Sequence, residues 1–283
     1  VYRRPRELGH ALALLASGRP VLLAGGTDHH PARVGRPAED DLLDVSRIDL
    51  LRGIVREPDG GWRIGAAATW TEVVRAGLPA RFEALVRAAR EVGGPQVQNR
   101  GTVGGNLCNA SPAADGVPAL LALDAELELA SVRGSRRLTL EAFVLGPRRT
   151  ALAADELLVA IRVPPAGERA RSCFLKLGHR RYLVISIAMV AAAIDLDDTG
   201  RAHRVAVAVG ACAPVARRLP ALEAVLEGVP REALGARATA ALAADPAGML
   251  GPLAPIDDVR GTADFRLDAV ATLVGRAFGE LAA

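Results

Sequence analysis

The stretch Asn99-Arg100-Gly101-Thr102-Val103-Gly104-Gly105-Asn106-Leu107-Cys108-Asn109-Ala110-Ser111-Pro112-Ala113-Ala114-Asp115 lacks the apolar periodicity of a strand or an amphipathic helix. It offers a glycine pair, Gly104 and Gly105, flanked by Thr102 and Asn106, whose side chains suit phosphate or sugar oxygens. Glycine permits positive φ and, without a Cβ, lets a bound group approach the backbone. Asp115 closes the stretch with a carboxylate, the group that holds ribose hydroxyls in other dinucleotide sites. The wider segment, residues 93–118, is too long for an idle connection, and loops of that length tend to be functional.

Upstream, Val21-Leu22-Leu23-Ala24 reads as a short buried strand that runs into Gly25-Gly26-Thr27-Asp28. Successive N–H groups in such a turn form a concavity for an anion. A glycine pair after a strand is also an ordinary turn, so this loop alone decides little. Neither loop fits G-x-G-x-x-G or the P-loop pattern G-x-x-x-x-G-K-[ST]. Two separate glycine-pair loops suit an extended diphosphate gripped from both sides.

Around these loops the sequence predicts alternating helices and strands, then a boundary. A helix is expected over 7–17, a strand over 41–45, a helical turn over 46–51, and a hairpin around Pro58-Asp59-Gly60-Gly61. Helices follow from Thr71 and over 79–92, and strands at 126–130 and 157–163. Pro164-Pro165-Ala166-Gly167-Glu168 is the best break in the chain. Beyond it strands are expected at 172–178, 184–195 and 204–210, and helices at 219–226, 231–244 and 263–281. Strands precede helices there, as in an α+β unit.

Composition narrows the function. The chain has 283 residues and a net charge of +3, with arginines scattered rather than interleaved with aromatics, so a nucleic-acid interface is not expected. The longest apolar run, Leu183 to Ile194, is shorter than the roughly 18 residues of a membrane span. No charged-then-apolar signal segment opens the chain, and a soluble, cytoplasmic protein is expected. Cys108, Cys173 and Cys212 form no C-x-x-C pair, which excludes a zinc ribbon, and three thiols cannot supply the four Cys ligands of an iron–sulfur cluster. Buried, reduced thiols are the plain reading. Lys176 is the sole lysine.

AGGTD at Ala24–Asp28, NRGTVGGNLCNASPAAD at Asn99–Asp115 and the closing Pro255-Ile256-Asp257-Asp258-Val259-Arg260-Gly261-Thr262-Ala263-Asp264-Phe265-Arg266 together resemble the FAD-binding (medium) subunit of the molybdenum hydroxylases, of the xanthine dehydrogenase and carbon monoxide dehydrogenase type. The resemblance covers essentially the whole chain. It implies an α+β protein with a PCMH-type FAD-binding fold of two α/β subdomains, about 1–54 and 55–165. A C-terminal flavoprotein domain, 166–283, would follow, with a three-stranded antiparallel sheet and a helical bundle. It implies that Leu23, Ala24, Gly25, Gly26, Thr27 and Asp28 wrap the FAD diphosphate, and His29, next in the chain, is a further candidate contact. Thr102, Gly104, Gly105, Asn106 and Asp115 would contact FAD as well. Leu158 would lie near the flavin, and Lys176 near its ring, where a cation stabilises the anionic reduced form.

The same resemblance implies partners: a small subunit with [2Fe–2S] clusters and a large subunit with the molybdenum cofactor, assembled as a dimer of heterotrimers. Electrons would run from molybdenum through the clusters and FAD to NAD, a quinone or oxygen. The substrate would never touch this chain, so its identity is not written here. His29-His30 departs from the apolar residues usual after AGGTD, and loop-rim polarity, phosphate contact and a covalent flavin link all stay open. Tyr182 is a candidate shield for one flavin face or ordinary packing. Two other readings stay open: a self-contained FAD oxidoreductase of the same fold, and a non-catalytic assembly subunit.

Overall fold

The computed structural model describes residues 1–35 and 41–283. It begins with a small parallel sheet of three strands, Tyr2–Arg3, Leu42–Asp44 and Val21–Leu23, in that spatial order. Parallel strands of one sheet need a crossover, and the helix Leu8–Gly18 supplies the one from Tyr2–Arg3 to Val21–Leu23, the two outer strands. That helix stops where Arg19 turns left-handed and returns its N–H to Leu15. Its Ala11, Leu12 and Leu15 bury together with Leu43, and with Ala130, Leu157 and Val159 of the next sheet.

The second sheet is antiparallel, in the order Ile54–Arg56, Trp62–Gly65, Leu157–Val163, Glu126–Ser131, Gly134–Thr139. Its central strand is apolar almost throughout because both faces are covered. Leu157 and Val159 face the first unit, and Leu158, Ile161 and Val163 face the main core. A bulge between Leu158 and Ala160 permits this sorting. Helices Trp70–Arg75 and Glu83–Glu91 lie over the main core. The first opens on a capping box between Thr69 and Glu72.

The segment 93–118 is not a structureless loop. It contains the helices Pro95–Gln98, Val103–Asn109 and the start of Gly116–Ala122. Seven residues are too few to display periodicity, and a glycine pair counts against helix on propensity. Tertiary packing overrides that preference: Val103 and Leu107 are fully buried. The strand Gly134–Thr139 and the hairpin Val144–Gly146/Arg149–Thr150 carry little apolar pattern and escape the sequence reading.

The C-terminal part holds an antiparallel sheet of three long strands, Arg171–Leu177, Ala188–Leu196 and Ala202–Gly210, extended at one edge by the two-residue strand Arg217–Arg218. One face, with Val190, Ile194 and Val207, packs on the helices Pro220–Leu226, Leu234–Ala244 and Ala263–Ala282. The other, with Phe174, Met189, Ala191 and Ala208, joins the main core. The strand expected from Val184 starts only at Ala188. Residues 183–187 instead turn back so that Ile187 donates to the Leu177 carbonyl.

The closing motif Pro255–Arg266 has a packing role. Arg266, 2% exposed, donates to the carbonyls of Ile187 and Ala211 and to Asp258. One guanidinium thus pins the last helix to two loops. Among the described residues, no helix is long and apolar enough to cross a membrane.

Candidate cofactor-binding site

The two glycine-rich loops meet. A Cβ on Gly25 would fall inside the Arg100 carbonyl, so only glycine lets the backbones approach this closely. Gly26 has φ +74°, and the His30 ring lies 2.6 Å from where its Cβ would stand. His30 also donates its N–H to the Gly26 carbonyl at 3.0 Å, closing the turn. The His29 and His30 rings meet edge to face. Asp28 accepts from Asn109 Nδ2 at 2.9 Å, which ties the first loop to the helix Val103–Asn109. Arg148, in the left-handed conformation, bonds the same asparagine and lies 4.0 Å from Asp28. Asn109 lies in the Asn99–Asp115 motif without being among the contacts expected there, and Arg148 carries no pattern that sequence reading detects.

In the second loop the glycines differ in role. Thr102 caps its helix by accepting from the Gly105 N–H at 3.0 Å. Gly104 points inward, where a Cβ would sit 2.6 Å from the Ala66 carbonyl oxygen. Its N–H donates to that carbonyl at 2.8 Å. Gly105 is exposed on the outer side, so a ligand can approach it. Asn106 Oδ1 is buried and has no hydrogen-bond partner among the described residues. A buried acceptor left unpaired costs about 1–3 kcal/mol, and such a group calls for an explanation. A donor on a bound molecule, such as a sugar or ribityl hydroxyl, would satisfy it.

Asp115 and Lys176, expected to act separately, are joined. Lys176 Nζ donates to Asp115 Oδ2 at 2.9 Å, with side chains 7% and 10% exposed. The Ser186 hydroxyl donates to Asp115 Oδ1 at 2.9 Å. Burial raises the Asp115 pKa above the ordinary carboxylate value, and the Lys176 cation and Ser186 hydroxyl pull against that rise. The carboxylate comes from the head of Gly116–Ala122 and the lysine from the C-terminal sheet, so the pair spans the two halves. Ser186 lay hidden in an apolar run read as strand.

The remaining candidates lie less directly on this surface. Leu23 is 7% exposed and borders Gly26. Thr27 Oγ1 faces Gly101. Leu158 is 3% exposed, in the core that also holds Val103 and Leu107. Tyr182 is 62% exposed and stacks with its neighbour Arg181, whose Nε donates to its hydroxyl at 2.8 Å. Burial pushes the Cys108 thiol up to about 12, so it stays protonated and unreactive at neutral pH.

The donor set fits a phosphate- and hydroxyl-bearing cofactor: an exposed glycine, a threonine, an unpaired asparagine oxygen and a buried lysine on adjoining elements. Residues 1–166 match the family model described as the FAD binding domain in molybdopterin dehydrogenase, and residues 174–281 match the CO dehydrogenase flavoprotein C-terminal domain. The chain is 34% identical to a putative xanthine dehydrogenase FAD-binding subunit of Escherichia coli, over 100% of this chain and 96% of the relative. It is 36% identical to the nicotinate dehydrogenase FAD-subunit of Eubacterium barkeri, over 69% of each. A chain of carbon monoxide dehydrogenase from Hydrogenophaga pseudoflava matches with a TM-score of 0.84 at 32% identity, covering 98% of this chain and 94% of that one.

Proposed function

The chain belongs to the family of FAD-binding subunits of molybdopterin dehydrogenases, and from that premise we propose that it holds FAD between its two glycine-rich loops and the C-terminal sheet and serves as an electron-transfer subunit. The observation that carries this reading is Asn106, whose buried acceptor lacks a partner among the described residues, beside two loops with close backbone contact. Bound there, FAD supplies an acceptor that takes electrons singly and releases them in pairs. The protein's share is binding, orientation and charge.

In this reading Thr102, Gly105 and Asn106 hold the cofactor's polar chain, with Leu23, Ala24, Gly25, Gly26, Thr27, Asp28 and His29 forming the other side. Gly104 and Leu158 support that surface from within. Lys176 sets a positive charge near the ring, and Asp115 keeps the ammonium in place. The proposed division is 1–165, with subdomains meeting near residue 54, and 166–283, in keeping with the three separate main sheets. The proposed partners are a [2Fe–2S] small subunit and a molybdenum-cofactor large subunit, in a cytoplasmic dimer of heterotrimers. NAD or a quinone would take the electrons.

The test is an absorbance spectrum of the purified chain before and after acid precipitation. A flavin spectrum released into the supernatant is expected. Colour retained in the pellet would instead implicate His29 or His30 as a covalent anchor. A colourless protein that takes up no added FAD would overturn the reading.

A further inference from the structure

A cavity of about 280 Å³ lies where the three parallel strands end. Arg4 follows Tyr2–Arg3, Gly25 follows Val21–Leu23 soon after, and Arg47 follows Leu42–Asp44. Open parallel sheets bind nucleotides at this carboxyl end. Arg52 contributes from just before the junction near residue 54 and Arg100 from the facing unit, and among the described residues no carboxylate lines the space. Two of the four guanidiniums are already compensated. Arg4 Nε lies 3.0 Å from Asp44, and Arg52 lies 3.3 Å from Glu72. Among the described residues, Arg47 and Arg100 have no ion pair or side-chain hydrogen bond, and both stand at the exposed rim. Two arginines without an ion-pair partner among the described residues therefore line a cavity that Gly25 also lines.

We propose that Arg47 and Arg100 are the charge partners of the cofactor's diphosphate and make the site selective for the dinucleotide over flavins that lack it. This rests on the FAD reading above. A diphosphate bridge carries two negative charges, which the two free guanidiniums match. Arginine presents planar, forked donors to phosphate oxygens, an arrangement that lysine or a neutral amide cannot copy. The volume lies at the low end for small-molecule pockets, about 300 Å³ and upward, so it takes part of a dinucleotide rather than the whole. Gly25 serves twice: it allows the loops to meet and it lines the cavity.

The experiment titrates the chain with FAD and with riboflavin, at low and high salt, for the wild type, Arg47→Gln, Arg100→Gln and the double variant. Each single change should weaken FAD about tenfold, as expected for a lost charge-assisted bond, and the double variant more. Riboflavin affinity should not move, and the salt dependence of FAD binding should flatten in the double variant. Unchanged FAD affinity would overturn the proposal, and so would equal weakening of FAD and riboflavin, which marks a structural effect. If the wild type bound no FAD, the functional reading would fail first, and inorganic pyrophosphate would test the cavity separately. A thermal shift with pyrophosphate that is lost in the double variant would uphold the site, and no shift in the wild type would remove it.

Discussion

Replacing Lys176 with Met removes the only cation among the described residues that the buried Asp115 touches. With side chains 7% and 10% exposed, this is a buried pair, and breaking one from a single side costs about 3–5 kcal/mol. Ser186 continues to donate to Asp115, so the low end of that range is expected. The cost should depend on pH in a definite direction. Burial already raises the Asp115 pKa, and the Lys176 charge limits the rise. Without it the folded-state pKa climbs further above the unfolded value of about 3.9. The folded variant then keeps a proton that the unfolded chain releases, so its stability falls as pH rises from about 4 through the raised value. Urea unfolding of variant and wild type between pH 5 and pH 8 should show a deficit that widens toward pH 8. Adding Asp115→Asn should recover most of it. A deficit that is flat with pH, or a double variant no better than the single, would refute this reasoning.

Gly25→Ala should force the glycine-rich loops apart, costing about 1–3 kcal/mol by overpacking and lowering FAD affinity. Gly9→Ala, with nothing within 4 Å of the new Cβ and a helical position, should instead stabilise by about 0.5–1 kcal/mol, and thermal melts compare the two directly. Arg266→Met should leave the Ile187 and Ala211 carbonyls and Asp258 without their buried donor, lowering stability by about 3 kcal/mol or more. Urea denaturation that shows less than about 1 kcal/mol would mean that water replaces the guanidinium without loss.

Long periodic elements were legible before the structure. Leu8–Gly18, Ala263–Ala282 and the strand Leu157–Val163 each carry enough apolar pattern to declare themselves. Val103–Asn109 did not, because its stability comes from Ala66, Val103 and Leu107 packing rather than from propensity. The glycine loops were visible as motifs, yet their meeting was not, since residues 25 and 100 are far apart in sequence. The same holds for Asp115, Lys176 and Ser186, which come from two parts of the chain. Sequence could nominate the acid and the lysine separately, but only the docking of the sheets makes them a pair. Gly104 and Gly105 look equivalent in a sequence, and the fold turns one inward and the other out.

The seam between the two halves explains why that pair is useful. Its middle is lined with small residues, among them Ala119, Ala191 and Ala208. Alanine faces allow close approach, but one alanine fits much like the next, so they specify register poorly. Buried polar contacts fix it at both ends. On one side Ser172 donates to the Arg81 carbonyl at 2.6 Å and accepts from the Ala84 N–H at 2.8 Å. On the other, Asp115 gathers Lys176 and Ser186. A buried polar group discriminates strongly against a shifted arrangement, because any slip leaves it unpaired. Lys176 is therefore held in place by the same bonds that set the register of the C-terminal sheet. In the proposed flavin site, the charge near the ring is then as fixed as the docking of the two halves, and a mutation at Ser172, remote from the loops, should act on both together.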